Sequence, residues 1–133
     1  MTRLLNLSAL ALSTVACTTS TAPGSACTPS ATLACVTIQD FTFSPATLTI
    51  KVGTTVQWTN NGPSAHTTTS DATTWNSGTL NAPMGGGAYG GGSAGGSFAF
   101  TFSATGTYGY HCTLHPPSIP QYAGFKGTIT VTQ

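Results

Sequence analysis

The chain has 133 residues, enough for one domain around one core, and carries only three basic and two acidic residues. Setting aside the N-terminus with Arg3 leaves Lys51, Lys126, Asp40 and Asp71, so the remainder is formally neutral. That balance excludes strong electrostatic steering toward nucleic acid or an anionic membrane. Hydrophobic residues, Ala included, make up 39% of the chain, and Gly, Ser and Thr dominate the rest, a texture of short strands and turns rather than helices.

Residues 1–17, "MTRLLNLSALALSTVAC", run from a basic start through an apolar stretch to small residues. This is a secretory signal, too short to span a bilayer in the mature protein. Its end, Thr14 to Cys17, resembles a bacterial lipobox, which would make Cys17 the lipidated N-terminus, although Thr14 departs from the usual Leu. Cleavage after a small residue without lipidation is the alternative. Either route predicts export to the periplasm or cell envelope, with membrane contact only through a lipid. Residues 18–34, rich in Ser, Thr and Pro, read as a tether, and residues 35–133 as the folded domain.

In an oxidising compartment, Cys27 and Cys35, eight positions apart, are placed to form a disulfide that pins the entry to the first strand. Cys112 is then left over, and metal ligation is a reason to keep it reduced. A disulfide through Cys112 is the competing pairing, which leaves another cysteine alone unless Cys17 departs with the signal.

Along the domain, "VTIQDFTF" (36–43) predicts one strand with Val36 and Ile38 on a common face, ended by Ser44-Pro45. "ATLTIKV" predicts a second strand, Gly53 a turn, and "TTVQWTN" a third with Val56 and Trp58 inward. Asn60-Asn61-Gly62-Pro63 marks a loop, after which His66 opens a Thr-rich strand, "HTTTS". Residues 84–96 hold eight glycines in thirteen positions and read as a flexible insertion. No Lys-Ser/Thr follows them, so a phosphate cradle is not indicated. "FAFTF" alternates Phe98, Phe100 and Phe102 on one face, "TYGYHC" follows Gly106, and "KGTITV" closes with Ile129 and Val131 inward. Seven to eight short strands predict an all-β Greek-key sandwich.

Three residues offer metal-binding chemistry: His66 at one loop–strand junction, and Cys112 with His115 at another. A Cys-x2-His pair brings thiolate and imidazole to one ion, and a distant His adds a third donor. Two imidazoles and a thiolate in a trigonal set select copper over hard cations. Zinc accepts the same atoms, but a closed structural zinc site needs a fourth strong donor that is not in view. Taken singly, His66 reads as a rim histidine and Cys112 as a small buried hydrophobe. A Cys–His nucleophile pair lacks an orienting carboxylate or carboxamide nearby in sequence.

From about Val36 to Val131 the chain resembles the small bacterial cupredoxins of the plastocyanin, amicyanin and pseudoazurin kind. The resemblance rests on "FTFSPATLTIKVGTTVQWTNNGPSAHTTTSD", "WNSGTL", "FTFSATGTYGYHCTLHP" and "GFKGTITV". It implies a cupredoxin-like sandwich and a blue-copper electron carrier, not an enzyme, holding one type 1 copper ion. His66, Cys112 and His115 are then the equatorial ligands, with Thr67 and Thr113 tying the two ligand loops together by hydrogen bonds. Pro116, Pro117 and Ile119 would surround His115 with an apolar docking patch for a redox donor and acceptor, the protein itself being a monomer. His111 falls where plastocyanin-type proteins carry a lateral aromatic; as a second electron-transfer surface it would make partner binding sensitive to pH, and an inert surface histidine is the alternative. The methionine expected after the second His is missing. Alignment on the last strand puts Phe125, which cannot coordinate, in its position; Gln121 and Met84 are the alternatives. Two rival functions remain, a copper-delivery or resistance protein and a metal-free Greek-key interaction module.

Overall fold

In a computed structural model the protein is described for residues 26–85 and 92–133. The signal with Cys17 and residues 18–25 of the tether lie outside these residues, as do residues 86–91 of the glycine-rich insertion. Eight strands form two four-stranded sheets, with no α-helix among the described residues. They are β1 (Leu33–Gln39), β2 (Thr42–Ser44), β3 (Thr47–Lys51), β4 (Thr55–Asn60), β5 (Thr69–Ser70), β6 (Ser97–Thr101), β7 (Gly106–His111) and β8 (Lys126–Thr132). One sheet runs β2-β1-β4-β6 and the other β3-β8-β7-β5, giving the expected Greek-key sandwich.

Two-residue alternation builds the core. Val36 and Ile38 of β1, Val56 and Trp58 of β4, Tyr110 of β7 and Ile129 and Val131 of β8 all point between the sheets and are buried. Trp58 stacks on Trp75 at 5.5 Å between centroids and meets Tyr110 edge-on at 5.6 Å. The Phe alternation near β6 is less even than the sequence predicts: Phe102 is buried, whereas Phe98 and Phe100 are half-covered.

Three local expectations change. "VTIQDFTF" is not one strand but a hairpin, in which Gln39 pairs with Thr42 and the turn consists of Asp40 and Phe41. Phe41 takes a φ of +63°, a value that side-chain-bearing residues rarely adopt, so periodicity alone could not place this turn. The Thr-rich strand is shorter than "HTTTS", because only Thr69 and Ser70 pair with β7 while His66 bridges to Leu80. The C-terminal end of the glycine-rich insertion is held in place. Met84 and Ser93 exchange backbone hydrogen bonds, and a methyl group on Gly95 would run into the Asn60 carbonyl.

Asn60, read as a loop residue, is a buried strut at the end of β4. Its amide donates to the carbonyls of Ser64 and Leu80 (2.8 and 2.9 Å), and its oxygen accepts the Gly62 N–H at 3.0 Å. These bonds pair the Gly62 N–H and the Ser64 carbonyl, add a second donor to the Leu80 carbonyl that also accepts the His66 N–H, and fix the loop that delivers His66.

Cys27 and Cys35 are joined by a disulfide across a separation of eight residues. Replacing both by Ser should lower folding stability by about 2–3 kcal/mol in the loop-entropy picture while leaving the sandwich intact. Urea denaturation monitored by Trp fluorescence would measure it. An unchanged midpoint would show that the bridge constrains nothing that the unfolded chain explores.

Candidate metal centre

His66, Cys112 and His115 come together at one end of the sandwich. Cys112 follows directly on β7, so strand alternation turns its sulfur inward while His111 turns out. The bend after Cys112 brings His115 back over the sulfur, and the Asn60 loop carries His66 in from the other sheet. Cys112 Sγ lies 3.9 Å from His66 Nδ1 and 3.7 Å from His115 Nδ1, and the two nitrogens are 3.3 Å apart. A triangle with these edges has its centre about 2.1 Å from each corner, in the range of metal–imidazole and metal–thiolate bonds. The donor set therefore fits one soft or borderline metal ion. Without a cation or a proton among them, the three lone pairs would repel one another.

The surroundings fix each donor. Cys112 is fully buried and its sulfur accepts the Thr67 N–H at 3.3 Å, which fixes the direction in which the sulfur points. The hydroxyls of Thr67 and Thr113 are 3.0 Å apart, and Thr113 N–H donates to Thr67 Oγ1 at 2.9 Å. The two ligand loops are thus joined directly beside the donors. His66 is also fully buried, and its Nε2 lies 2.9 Å from Asp40 Oδ1. A carboxylate only accepts, so Nε2 carries the proton and Nδ1 keeps its lone pair for a metal.

Phe125 is fully buried immediately before β8, with its ring edge-on to His66 at 4.9 Å and tilted to His115 at 6.3 Å. Gln121 is exposed in the short 3₁₀ turn Pro120–Tyr122, and Met84 is 66% exposed at the base of the glycine-rich segment. Around the rim, Leu114 and Ile119 are exposed, while Pro116 and Pro117 are half-covered. His111 is half-buried on the flank, with Nδ1 2.6 Å from Asp71 Oδ1.

Four neighbours of the site escaped the sequence reading: Asp40, Ser64, Phe41 and Tyr122. Phe41 packs at 5.1 Å from His115 and 4.6 Å from Tyr122, and Tyr122 lies 5.0 Å from His115. Only the Asp40-Phe41 turn brings β1–β2 residues here, and no spacing rule ties that turn to His66. Tyr122 had a weak signal, an aromatic three residues before Phe125 in the same loop.

Burial pushes the His66 pKa below its ordinary 6.5, Asp40 draws it partly back, and His115 opposes its protonation. Burial draws Asp40 upward, but hydrogen bonds from Ser64 and His66 outweigh this and hold the carboxyl below 3.8. Both groups therefore bind fewer protons when folded than when unfolded. For His66 this costs stability once the pH falls below about 6.5, where the unfolded histidine takes up its proton first. The Asp40 contribution persists above 3.8 and is lost as the pH falls through the lower folded value. The melting temperature of metal-free protein should therefore drop between pH 8 and pH 5, and His66→Asn should flatten that drop. An equally steep drop in the variant would assign it to other groups.

Residues 30–132 match the model of a family described as copper binding proteins, plastocyanin/azurin family. Plastocyanin of Scenedesmus fuscus is 39% identical over 89 residues, 67% of this chain and 85% of that protein. Amicyanin of Paracoccus denitrificans is 32% identical over 81 residues, covering 61% of this chain and 56% of that one. Among solved structures, a purple cupredoxin from Nitrosopumilus maritimus superposes with a TM-score of 0.57 at 29% identity, over 74% of this chain and 99% of the other.

Proposed function

The chain belongs to the plastocyanin/azurin family of copper-binding proteins, and on that premise we propose that it is an exported type 1 copper protein passing single electrons between redox partners. The observation that carries this reading is the pre-set triangle of one thiolate and two imidazole nitrogens. A copper ion held there supplies one-electron chemistry by alternating between Cu(I) and Cu(II). The chain supplies constraint. Cys112 and His66 are locked by Thr67 and Asp40, so the donors keep their places when the charge changes. Burial of both ligands favours retention of the ion over its delivery to another protein.

His115 is the half-exposed ligand and offers the short route between the centre and a partner. Leu114, Ile119 and Phe41 form an exposed apolar collar beside it, with Pro116 and Pro117 at its base. Contact with a donor or acceptor protein is through this collar, and the sparse charge of the domain leaves little long-range steering. His111, paired with Asp71, is a second, lateral surface. Export rests on the signal-like leader, with Cys17 as its lipid attachment point.

The Cys112 thiolate is the source of colour in this reading. Copper-loaded protein should show intense thiolate-to-metal charge transfer, and Cys112→Ser should abolish it without unfolding the sandwich. A coloured Cys112→Ser protein would overturn the ligand set.

Phe125 takes the axial position in this reading. It is buried against both histidines, whereas Gln121 and Met84 face solvent. With no weak axial donor, and with Phe41 and Phe125 against the histidines and Phe43 packed behind Phe125, a copper ion held there would favour Cu(I) and a raised potential. Phe125→Met should lower the reduction potential and change the visible spectrum. Gln121→Ala should leave both unchanged. The opposite pattern would give the axial place to Gln121.

A further inference from the structure

We propose that Asp40 is a positioning residue for the metal centre, fixing the tautomer of His66 and setting a negative charge behind it that tightens Cu(II) binding relative to Cu(I). The inference rests on the copper reading above. Asp40 reaches the ring nitrogen that faces away from the donor triangle, so it touches the ligand and not the metal position.

The carboxylate is held as firmly as the histidine. Oδ1 accepts the Ser64 N–H at 3.2 Å and Oδ2 accepts the Ser64 hydroxyl at 2.8 Å, while Oδ1 also meets His66 Nε2 at 2.9 Å. Ser64 precedes His66 by two residues, so the clamp ties the β1–β2 turn to the loop that carries the ligand. The turn has no slack, since Asp40 and Phe41 alone separate the paired residues Gln39 and Thr42. Phe41 accepts a φ of +63° there and lies against His115. The side chain of Asp40 is 28% exposed and that of His66 is fully buried, so the ion–ligand contact is shielded from bulk water on one side.

Two effects follow from the chemistry. A neutral imidazole has one N–H, and a carboxylate acceptor on Nε2 commits that proton and frees Nδ1. An anion hydrogen-bonded to the ring also makes it a stronger donor, which stabilises the more highly charged metal state. The other carboxylate among the described residues, Asp71, is paired with His111 and leaves His115 without such a partner. The two histidines are therefore unequal ligands, one backed by charge and one facing the surface.

Two substitutions separate the effects. Asp40→Asn keeps an amide oxygen for His66 Nε2–H and an amide nitrogen for the Ser64 hydroxyl, so it removes charge alone. Asp40→Ala removes both charge and acceptor. Nitrogen-15 NMR of metal-free protein reads the His66 tautomer directly, and competition against a chelator reads Cu(II) affinity. Wild type should show the Nε2–H form, and Asp40→Ala should mix tautomers and weaken Cu(II) binding roughly 10–100-fold. Asp40→Asn should keep the tautomer but raise the reduction potential. A tenfold loss of preference for Cu(II) over Cu(I) corresponds to about 59 mV. The proposal is overturned if Asp40→Ala leaves tautomer and Cu(II) affinity as in wild type, or if Asp40→Asn leaves the potential unmoved. If Asp40→Ala does not fold, Ser64→Ala takes its place, with a smaller loss of affinity expected and no loss overturning the clamp. Wild-type protein that takes up no copper would sink the copper reading instead, while the NMR result would still decide the tautomer.

Discussion

One sulfur and two imidazole nitrogens face one point from 3.3–3.9 Å apart, an arrangement that is repulsive unless a cation or a proton lies among them. Much of the surrounding structure serves to hold that arrangement. The Asn60 strut shapes the loop carrying His66, the Thr67–Thr113 pair joins the two ligand loops, and Asp40 fixes the proton on the far side of the His66 ring. Behind them the aromatic core of Trp58, Tyr110, Phe43 and Phe125 leaves little room for the donors to relax apart. A site held in this way favours a metal whose two oxidation states tolerate the same geometry.

The His66–Cys112–His115 cluster was legible because its chemistry is local in sequence. Cys112 and His115 are three residues apart after a strand whose alternation decides which way the sulfur points, and His66 follows an unmistakable loop signal. The sandwich was legible through alternation at Val36, Ile38, Val56, Trp58, Ile129 and Val131. Asp40 and Phe41 were not, for a physical reason. A two-residue turn with a positive φ at a phenylalanine carries none of the Gly or Asn signals that announce such turns, and the strand pattern reads straight through it. Asn60 misled in the opposite sense: its type suggests exposed loop, whereas its amide satisfies buried backbone.

The two histidines divide the work of the site. His66 is buried and backed by a carboxylate, while His115 is bordered by Phe41, Tyr122 and the exposed side chains of Leu114 and Ile119. Burial and charge on one side with apolar access on the other suit a centre that keeps its ion and exchanges electrons. A delivery protein needs the opposite, an accessible thiolate and ligands free to rotate. Phe125 adds to the asymmetry by packing its buried ring edge-on to His66 and tilted to His115.

In the copper reading, Cys112, His66 and His115 alone form a strong, rigid donor set for one ion. Copper-edge X-ray absorption on the oxidised and reduced protein tests it most directly. One sulfur and two nitrogen neighbours are expected at short range in both states, with nearly unchanged distances and no fourth strong donor. A fourth short ligand, or loss of a histidine on reduction, would contradict it.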